Sequence, residues 1–581
     1  MQTNCDIITP DPGAVQQVQT ALDCLPVTAA VLVNRGVTTA DAARAFMDGA
    51  LSGLRPPFGI QDMDTAVKRI AHAITHREKI LIFGDYDVDG ITATTLLLEF
   101  LGETGADVSF YIPHRTREGY DFQVDHVLTV AIPQSVDLII TVDCGSTRHE
   151  AVRLAGESGI DVVVTDHHTI GTPPPAEAVV NPRRSDCAAG FDHLAGVGVA
   201  FALLICLRRH LRESGFWADR PEPNLRALSD LVALGTVADM VPLVADNRIL
   251  SRIGISELNR GGRHGVAALA RAAGLANGVH GDDIAFRLAP RLNVAGRLGH
   301  ARTAVELLIT RDAGRAEAIA EELNRLNRRR QETEKRILDQ AAAELDRRPE
   351  LLAGRSSLVL AHPDWHEGVL GIVAAKLVDR YWRPVILMSA RPPTGKGSGR
   401  SIPGINLHDA LVDCAGHLEK FGGHPMAAGL QIATDRIDAF REAFEASIAA
   451  AGRPAHFQRT LPIDAELDFD TVTDRLVNEL ESLGPFGEGH PEPLFLARNV
   501  TVDTDRIVGR FHRRMTLRPA GARTGLEAIR FNVDPADRPS RFDALAFRLR
   551  WNRWNGRKRI QLVVETEEIG QISLANRPDG Q

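Results

Sequence analysis

The most informative segment of the chain is Lys79-Ile80-Leu81-Ile82-Phe83-Gly84-Asp85-Tyr86-Asp87-Val88-Asp89-Gly90. The apolar run at its start, bounded by Gly84, predicts a short buried strand. Three carboxylates then follow within five residues. Carboxylates this close repel one another unless cations neutralise them, and hard divalent metals with oxygen ligands do so. The stretch therefore predicts a strand that ends in a metal-binding loop.

An EF-hand is the alternative interpretation of this stretch, because Asp-x-Asp-x-Asp-Gly also opens an EF-hand loop. Counting from Asp85, the position at which an EF-hand needs a glutamate holds Leu96. The preceding segment is also a predicted strand, whereas an EF-hand loop follows a helix. The pattern therefore favours a metal site at the end of a strand.

Two further predicted strands end in residues that can bind metal. Leu138-Ile139-Ile140-Thr141-Val142 leads into Asp143-Cys144-Gly145, and Val162-Val163-Val164-Thr165 leads into Asp166-His167-His168. A single Asp in such a place is often only a helix cap. In an open parallel sheet, however, the loops after the strand ends meet at one edge, where ligands bind. We therefore expect one shared metal site, formed by Asp87, Asp89, Asp143, Asp166, His167 and His168.

Strands alternate with helices throughout the first half of the chain. Helices are predicted at 91–101, 150–156, 195–211 and 230–238, and strands at 79–83, 108–112, 137–142 and 161–165. This alternation predicts an α/β fold in which helices cover both faces of a parallel sheet.

The second half of the chain has a different pattern. Residues 315–348 lack Pro and Gly and are rich in Ala, Glu, Leu and Arg, which predicts a long exposed helix that links two lobes. A second α/β segment follows over 357–388. The Gly-rich, basic stretch 392–404 is predicted to be a loop. From about residue 455, short β-like runs between turn residues predict a small barrel or sandwich.

The composition of the chain excludes several classes of protein. No apolar run approaches the roughly 18 residues of a transmembrane helix, and the start lacks the basic and apolar regions of a secretory signal. The six cysteines show no C-x-x-C spacing, which favours free thiols in a reducing cytoplasm over a zinc finger. We expect a cytoplasmic protein that does not associate with membranes.

The net charge of −8 is distributed unevenly. Residues 505–560 hold 15 Lys and Arg against 5 Asp and Glu, a local charge of +10 that leaves −18 for the rest. A basic module on an acidic body suggests a phosphate-binding surface, and a solvated Arg-rich face is the alternative. Among the interleaved aromatic residues, Trp551 and Trp554 are candidates to stack on unpaired bases. Phe531 and Phe547 are expected in the core of this module.

The acidic and histidine segments together resemble the ordered motifs of the DHH phosphoesterase superfamily. The fourth motif is Gly235-Thr236-Val237-Ala238-Asp239, whose Asp would by itself be taken for a cap. The resemblance implies two ions, Mn²⁺ or Mg²⁺, that activate a water for attack on phosphorus. It also implies that Asp143 bridges the ions, that His168 faces the phosphate and that Asp166 orients the histidines. The other implied ligands are Asp87 with Asp85 for the first ion, and Asp89, His167 and Asp239 for the second. Asp85 stands near the place where some members have a histidine, which leaves its role open.

Further stretches resemble RecJ-type exonucleases of this superfamily, over roughly residues 50 to 570. They are Ile112-Pro113-His114-Arg115 with Glu118-Gly119-Tyr120, and the segments 290–298, 366–372 and 483–489. The segments 395–401 and 421–429 resemble the substrate-binding domain associated with DHH proteins, although either alone could be an ordinary glycine-rich turn. The resemblance implies substrate contacts by Arg115, Arg291, Asn293, Arg297, Ser398, Arg400 and His424. A surface arginine is the alternative for Arg115.

The resemblance implies a processive 5′→3′ exonuclease of DNA repair and recombination that acts on single-stranded DNA. We expect it to be a monomer, although the sequence does not determine the oligomeric state. Implied partners are single-stranded DNA-binding protein and a repair helicase. Two alternatives remain: a phosphodiesterase of small nucleotides or short oligonucleotides, and a non-catalytic Cdc45-like scaffold. The long joining helix and basic module argue against the first, and the full ligand set argues against the second. The implied domains are a helical lead-in (1–50), a DHH catalytic domain (51–310), a linking helix (311–348), a DHH-associated α/β domain (349–452) and a C-terminal OB-like β-barrel (453–581).

Overall fold

The helices and strands of the chain form two units of structure. The computed structural model describes residues 2–115, 117–276, 278–509, 511–522, 525–534, 538–554 and 557–575. Unit A consists of Ala45–Arg328 with Leu483–Glu492. Unit B consists of Met1–Arg44, Arg329–Ser482 and Pro493–Gln581.

The helices and strands up to residue 309 are, in chain order, β1 (Thr3–Ile8), α1 (Pro12–Leu22), α2 (Pro26–Asn34), α3 (Ala40–Asp48), α4 (Met63–His76), β2 (Lys79–Gly84), α5 (Val88–Thr104), β3 (Asp107–Tyr111), α6 (Val124–His126), β4 (Leu138–Val142), α7 (His149–Glu157), β5 (Asp161–Thr165), β6 (Ala178–Val180), α8 (Gly196–Glu213), α9 (Ser229–Ala238), α10 (Ala245–Arg260), α11 (His264–Ala272), α12 (Gly281–Asp283), α13 (Ala289–Leu298) and α14 (Arg302–Ile309).

The remaining elements are α15 (Ala313–Arg347), β7 (Leu358–His362), α16 (Leu370–Tyr381), β8 (Val385–Arg391), β9 (Thr394–Arg400), α17 (Leu407–Asp413), β10 (Lys420–His424), β11 (Ala427–Ala433), α18 (Ile437–Ala451), β12 (Thr460–Ile463), β13 (Ala465–Glu466), α19 (Asp474–Ser482), β14 (Phe495–Val508), β15 (His512–Pro519), β16 (Leu526–Arg530), β17 (Arg541–Trp554), β18 (Arg557–Thr566) and β19 (Ile569–Ala575).

Unit A is built on a parallel sheet of order β3-β2-β4-β5-β6. Successive strand residues point to opposite faces, and both faces of β2 are buried. Ile80 and Ile82 pack in one core layer with α5 and α8, whereas Leu81 and Phe83 pack in a second layer with α7. The predicted parallel sheet with helices on both faces is therefore confirmed.

The central strands of this sheet end at the same level. Gly84 of β2 is paired with Val142 of β4, Val142 with Thr165 of β5, and Thr165 with Val180 of β6. The residues that follow these strands therefore emerge side by side at one edge.

The long helix α15 confirms the predicted helix, but it is not exposed all round. It contributes Ala316 and Leu323 to the core of unit A, and Ile337 and Ala341 to a core of unit B. A buried stripe of this kind holds a long helix in place, because isolated polar helices are only marginally stable in water.

The second sheet lies in unit B, in the order β10-β11-β9-β8-β7. Its strand β9 occupies the stretch 392–404, so the loop predicted there is wrong. The glycines of this strand are needed for packing, because a Cβ at Gly397 would lie 2.8 Å from Met388 Cγ and one at Gly399 would lie 2.9 Å from Leu407 Cδ2.

A closed barrel forms the C-terminal part of unit B. Five strands follow one another in the order β14-β15-β16-β18-β17, and β17 pairs back with β14. Phe547 is fully buried in it, as predicted. Phe531 is 49% exposed, so its predicted place in the core is wrong. It follows the end of β16, beyond the strand residues whose side chains alternate into the core.

The N-terminal segment is helical from Pro12 to Asp48, as predicted, but it begins with a strand. This strand, β1, pairs in parallel with β12 and β19. Its partners lie more than 450 residues away in the sequence, so local sequence patterns do not predict this pairing. Among the described residues, none of the helices combines the length and apolarity that a membrane crossing requires.

Candidate metal centre

Carboxylates and one imidazole from four segments of unit A meet at the strand ends. The Nε2 atom of His167 lies 3.2 Å from Asp143 Oδ1, 3.5 Å from Asp239 Oδ2 and 3.7 Å from Asp89 Oδ2. Asp143 and His167 follow β4 and β5, Asp89 lies in the first turn of α5, and Asp239 ends α9. The predicted convergence at one sheet edge is present in the structure.

The ligand atoms fall into overlapping groups with the spacing of a metal site. Within each group, one atom per residue lies within 4.8 Å of the others. The groups are Asp85, Asp87 and Asp143; Asp89, His167 and Asp239; and Asp143, His167 and His168.

The loop between β2 and α5 presents two of these carboxylates, Asp85 and Asp87, and the first turn of α5 presents a third, Asp89. Asp87 is the N-cap of α5, and its Oδ1 accepts from the backbone amides of Asp89 and Gly90. Residue 90 must be a glycine, because a Cβ at this position would lie 2.6 Å from the carbonyl oxygen of Asp85. The N-cap preference of Asp therefore coincides with its candidate role as a ligand.

The first turn of α8 holds Asp89 from the opposite side. The Asp89 carboxylate accepts from the amides of Gly196 at 2.6 Å and Val197 at 2.8 Å. A Cβ on Gly196 would lie 2.7 Å from Asp143 Oδ1, so glycine lets the helix start reach both acids. Amides at a helix N-terminus stabilise negative charge. Sequence analysis missed Gly196, for which the only signal is a glycine at a predicted helix start.

Asp166 organises the histidine pair. One of its oxygens lies 2.8 Å from His168 Nδ1 and accepts from the His167 amide at 2.7 Å, and the other accepts from the Ser146 amide at 3.1 Å. Buried Asn181 adds a second brace, since its Nδ2 donates to the His168 carbonyl and to Ser146 Oγ. Asn181 was not predicted, and no motif in the sequence marks it.

Burial and mutual repulsion dominate the electrostatics of the cluster. Burial, followed by the charge of Asp87, raises the pKa of Asp89 to about 7. Burial and the charge of Asp89 raise the pKa of Asp239 to about 9, and burial also raises the pKa of Asp143. His168 is different: burial alone would lower its pKa, but Asp166 raises it to about 9.

The residues present fit divalent cations. Asp85 Oδ1, Asp143 Oδ1 and His167 Nε2 are buried, and among the described residues they have no hydrogen-bond partner. Buried polar atoms are almost always satisfied, so such a group of atoms indicates a missing ligand. Carboxylate oxygens with few nitrogens suit Mg²⁺ and Mn²⁺.

Three further residues of unit A that are predicted to contact substrate make other contacts within this unit. The Arg115 guanidinium lies 4.9 Å from the centre of the Tyr86 ring. Arg291 donates to the Arg287 carbonyl and to Asn324 Oδ1. The Asn293 side chain accepts from the Val88 amide.

Tyr120 also belongs to the surroundings of the metal centre, and sequence analysis gave it no role. Its hydroxyl oxygen lies 3.4 Å from His168 Nε2. Arg297, predicted to contact substrate, is half-buried on α13.

Ser398, Arg400 and His424 lie on one face of the second sheet in unit B. Arg400 on β9 and His424 on β10 are both paired with Ala427 of the strand between them, and Ser398 is two residues from Arg400. A Cβ on Gly371 would lie 2.9 Å from Ser398 Oγ, which places the start of α16 beside this group. A helix N-terminus with Ser and Arg side chains suits phosphate.

The basic charge of the barrel is partly neutralised in the folded chain. Arg514 and Arg559 both pair with Glu527, and Arg513 is fully buried. The Trp551 indole donates to Asn478, and the Lys558 ammonium lies 3.9 Å from its ring centre. The side chain of Trp554 lies outside the described residues.

Fold and site together define a metal-dependent phosphoesterase-type centre of the DHH class. The family model for the DHH family N-terminal domain matches residues 79–236, that for the DHHA1 domain matches 354–450, and that for the RecJ OB domain matches 463–566. The single-stranded-DNA-specific exonuclease RecJ of Dickeya dadantii is 40% identical over 539 residues, which are 89% of this chain and 92% of that protein. The chain belongs to the RecJ family.

Solved structures agree with this assignment. The crystal structure of RecJ from Thermus thermophilus in complex with Mn²⁺ matches with a TM-score of 0.82 and 32% identity, over 97% of this chain and 79% of that one. The Mg²⁺ complex of the same protein matches with a TM-score of 0.78 and 29% identity, over 98% and 79%. The predicted family is therefore confirmed, and the ions bound in these two relatives are the ones that the sequence predicts for this chain.

Proposed function

We propose that this chain is a metal-dependent exonuclease that degrades single-stranded DNA from the 5′ end and releases nucleoside 5′-monophosphates. The observation that carries the proposal is the convergence of Asp89, Asp143, His167 and Asp239, in which Asp143 Oδ1 and His167 Nε2 are buried and have no hydrogen-bond partner among the described residues. Its relatives with this domain order are single-stranded-DNA-specific exonucleases by name.

Different residues of the chain would bind the metal ions and stabilise the phosphate. When bound, two Mn²⁺ or Mg²⁺ ions would lower the pKa of a water and stabilise charge on phosphoryl oxygens. Asp143 is grouped with Asp85 and Asp87 and its Oδ1 lies 3.2 Å from His167 Nε2, so it would be a ligand of both ions. His168, kept protonated by Asp166, donates a hydrogen bond to a non-bridging phosphate oxygen. The remaining ligands would be Asp85 and Asp87 for one ion, and Asp89, His167 and Asp239 for the other.

Substrate recognition uses both units. Arg115, Arg291 and Arg297 bind the strand near the 5′ end, and in unit B the group Ser398, Arg400 and His424 binds phosphates. The barrel binds the strand through Trp551 and Trp554. The enzyme acts as a monomer in DNA repair and recombination, on strands supplied by a repair helicase and covered by single-stranded DNA-binding protein.

The test compares wild-type protein with Asp143→Asn on a long single strand labelled at either end. We expect the wild type with Mn²⁺ to release labelled mononucleotide at once from a 5′-labelled strand, and only late from a 3′-labelled one. Asp143→Asn should bind the strand but not cut it, as measured by fluorescence anisotropy and product chromatography. Cleavage confined to dinucleotides, or full activity of the variant, would refute the proposal.

A further inference from the structure

Helix α13 lies directly against the loop that carries the first carboxylates of the metal centre. A Cβ at Gly296 would lie 2.6 Å from the carbonyl oxygen of Tyr86 and 3.3 Å from its Cβ. Only glycine allows a helix to approach the loop backbone this closely. The stretch Pro290–Leu298, which the proposed chemistry does not fully use, therefore touches the loop between Asp85 and Asp87.

Asn293 makes a specific hydrogen bond to the same loop. Its Oδ1 accepts from the Val88 backbone amide at 3.1 Å. Val88 is the first residue of α5, and the first amides of a helix have no acceptor within the helix. Asp87 Oδ1 already accepts from the amides of Asp89 and Gly90. The Asp87 side chain therefore does not accept from the Val88 amide, and Asn293 provides the acceptor for it.

Helix α13, which carries Asn293, is held in place by other contacts within unit A. Arg291, two residues before Asn293, donates to the Arg287 carbonyl at 2.7 Å and to Asn324 Oδ1 at 3.1 Å. Asn324 lies on α15 and is buried. Leu292 and Val294 are fully buried on either side of Asn293. The asparagine therefore extends from an element that packing and hydrogen bonds hold in place.

We propose that Asn293 is a positioning residue for the metal centre, which it serves through the Val88 amide and not through contact with the DNA. Fixing Val88 sets the directions in which its neighbours Asp87 and Asp89 present their carboxylates, one toward each of the two ligand groups. Residues that orient metal ligands in this way typically change affinity for the metal by about 10- to 100-fold. The inference rests on the two-ion site of the proposed function.

The test measures Mn²⁺ binding to the full chain without DNA, by titration calorimetry, for wild type and Asn293→Ala. We expect the variant to bind Mn²⁺ about 10-fold more weakly. Asn293→Asp keeps an acceptor at the same reach and should bind as the wild type or better. Asn293→Gln moves the acceptor by one carbon and should resemble the alanine variant. The matched control is Asn259→Ala, which removes a side-chain bridge to backbone atoms elsewhere in unit A, to the Val279 amide and the Ile255 carbonyl.

The outcomes separate this inference from the proposed function. If Asn293→Ala is folded and binds Mn²⁺ as the wild type does, with only the KM for DNA raised, Asn293 contacts substrate and the inference is wrong. If Asn293→Ala does not fold, equal Mn²⁺ affinities of the Asp and Gln variants would overturn it. If the wild type itself binds no Mn²⁺, the proposed function fails first.

Discussion

The Nδ1 atom of His168 lies 2.8 Å from Oδ1 of Asp166, a carboxylate that is buried behind the metal centre. The same oxygen accepts from the amides of both histidines, so a single acid fixes the ring of His168 and the backbone of His167. It also raises the pKa of His168, against the effect of burial. Asp166 therefore controls residues on which binding and catalysis both depend, although it belongs to none of the candidate ligand groups.

Replacing Asp166 by Asn should lower kcat by about 100-fold, because outer partners of metal-site histidines act on this scale. The rate on long single strands at saturating DNA measures it. Asp161→Asn is the matched control, since Asp161 lies at the other end of the same strand and pairs with Arg69 at the surface. Equal losses in the two variants would show that the effect comes from the strand and not from the histidine pair.

Mn²⁺ binding should release at least one proton at pH 7.5. Burial and like charges raise the pKa of Asp239 to about 9 and that of Asp89 to about 7, so the metal-free site holds protons that cations displace. Titration calorimetry in two buffers of different ionisation enthalpy measures this release. Identical apparent enthalpies would contradict it, and Asp239→Asn should release fewer protons than the wild type.

The same pKa values predict how pH affects the stability of the metal-free chain. The folded-state pKa of Asp239 lies above its unfolded value, so Asp239 binds its proton more tightly in the folded chain. Its contribution to the free energy of unfolding is therefore fully present at pH values below the unfolded pKa. The contribution is lost as the pH rises through about 9. Added Mn²⁺ should therefore raise the melting temperature more at pH 8.5 than at pH 6. A smaller rise at pH 8.5 would count against the raised pKa values.

Arg263→Met should destabilise unit A by about 3 kcal/mol, because it leaves two acids in a mostly buried place without their cation. Arg263 Nη1 lies 2.6 Å from Glu99 on α5, and its Nε lies 2.8 Å from Asp230 on α9. These are the helices that carry Asp89 and Asp239. Urea unfolding measures the loss. Arg226→Met is the control, because Arg226 makes a more exposed pair with Glu257 and should change stability by less than about 1 kcal/mol.

Phe531→Ala should weaken binding of single-stranded DNA about 10-fold, because each aromatic–base stack contributes about 1–3 kcal/mol. Phe531 is 49% exposed on the barrel, and the His512 ring packs edge-on against it at 5.1 Å. Fluorescence anisotropy with an oligothymidine measures the affinity. Phe58→Ala removes an aromatic of similar exposure from unit A and should leave affinity unchanged. If Phe531→Ala binds the oligothymidine as tightly as the wild type, the Phe531 ring does not stack on the DNA.

The central sheet and its ligands were predictable from the sequence because their signals are local. Strand β2 is a short apolar run, and the acids follow directly after it. Asp143 is the first residue after β4, and His167 is the second residue after β5. Sheet topology then brings these ends together without further information. Family likeness was needed for Asp239, since a lone Asp at a helix end has no distinctive pattern.

The remaining features depend on partners that lie far away in the sequence. The stretch around Gly397 has the composition of a loop, but β8 and β11 pair with it on both sides and make it a strand. Asn293 reaches an amide 205 residues away. The apolar side chain of Phe531 predicts a place in the core, but Phe531 is 49% exposed. In each case tertiary contacts decide, and they are not encoded in short-range spacing.

The pairing of β14 with β17 has a consequence for the behaviour of the chain at high concentration. These are the two longest strands described, with 14 residues each. Exposed edges of long strands recruit other chains into shared sheets. Where β14 pairs with β17, along Phe495–Thr501 and Arg541–Phe547, neither strand presents such an edge, so this part of the barrel resists aggregation and strand exchange between molecules.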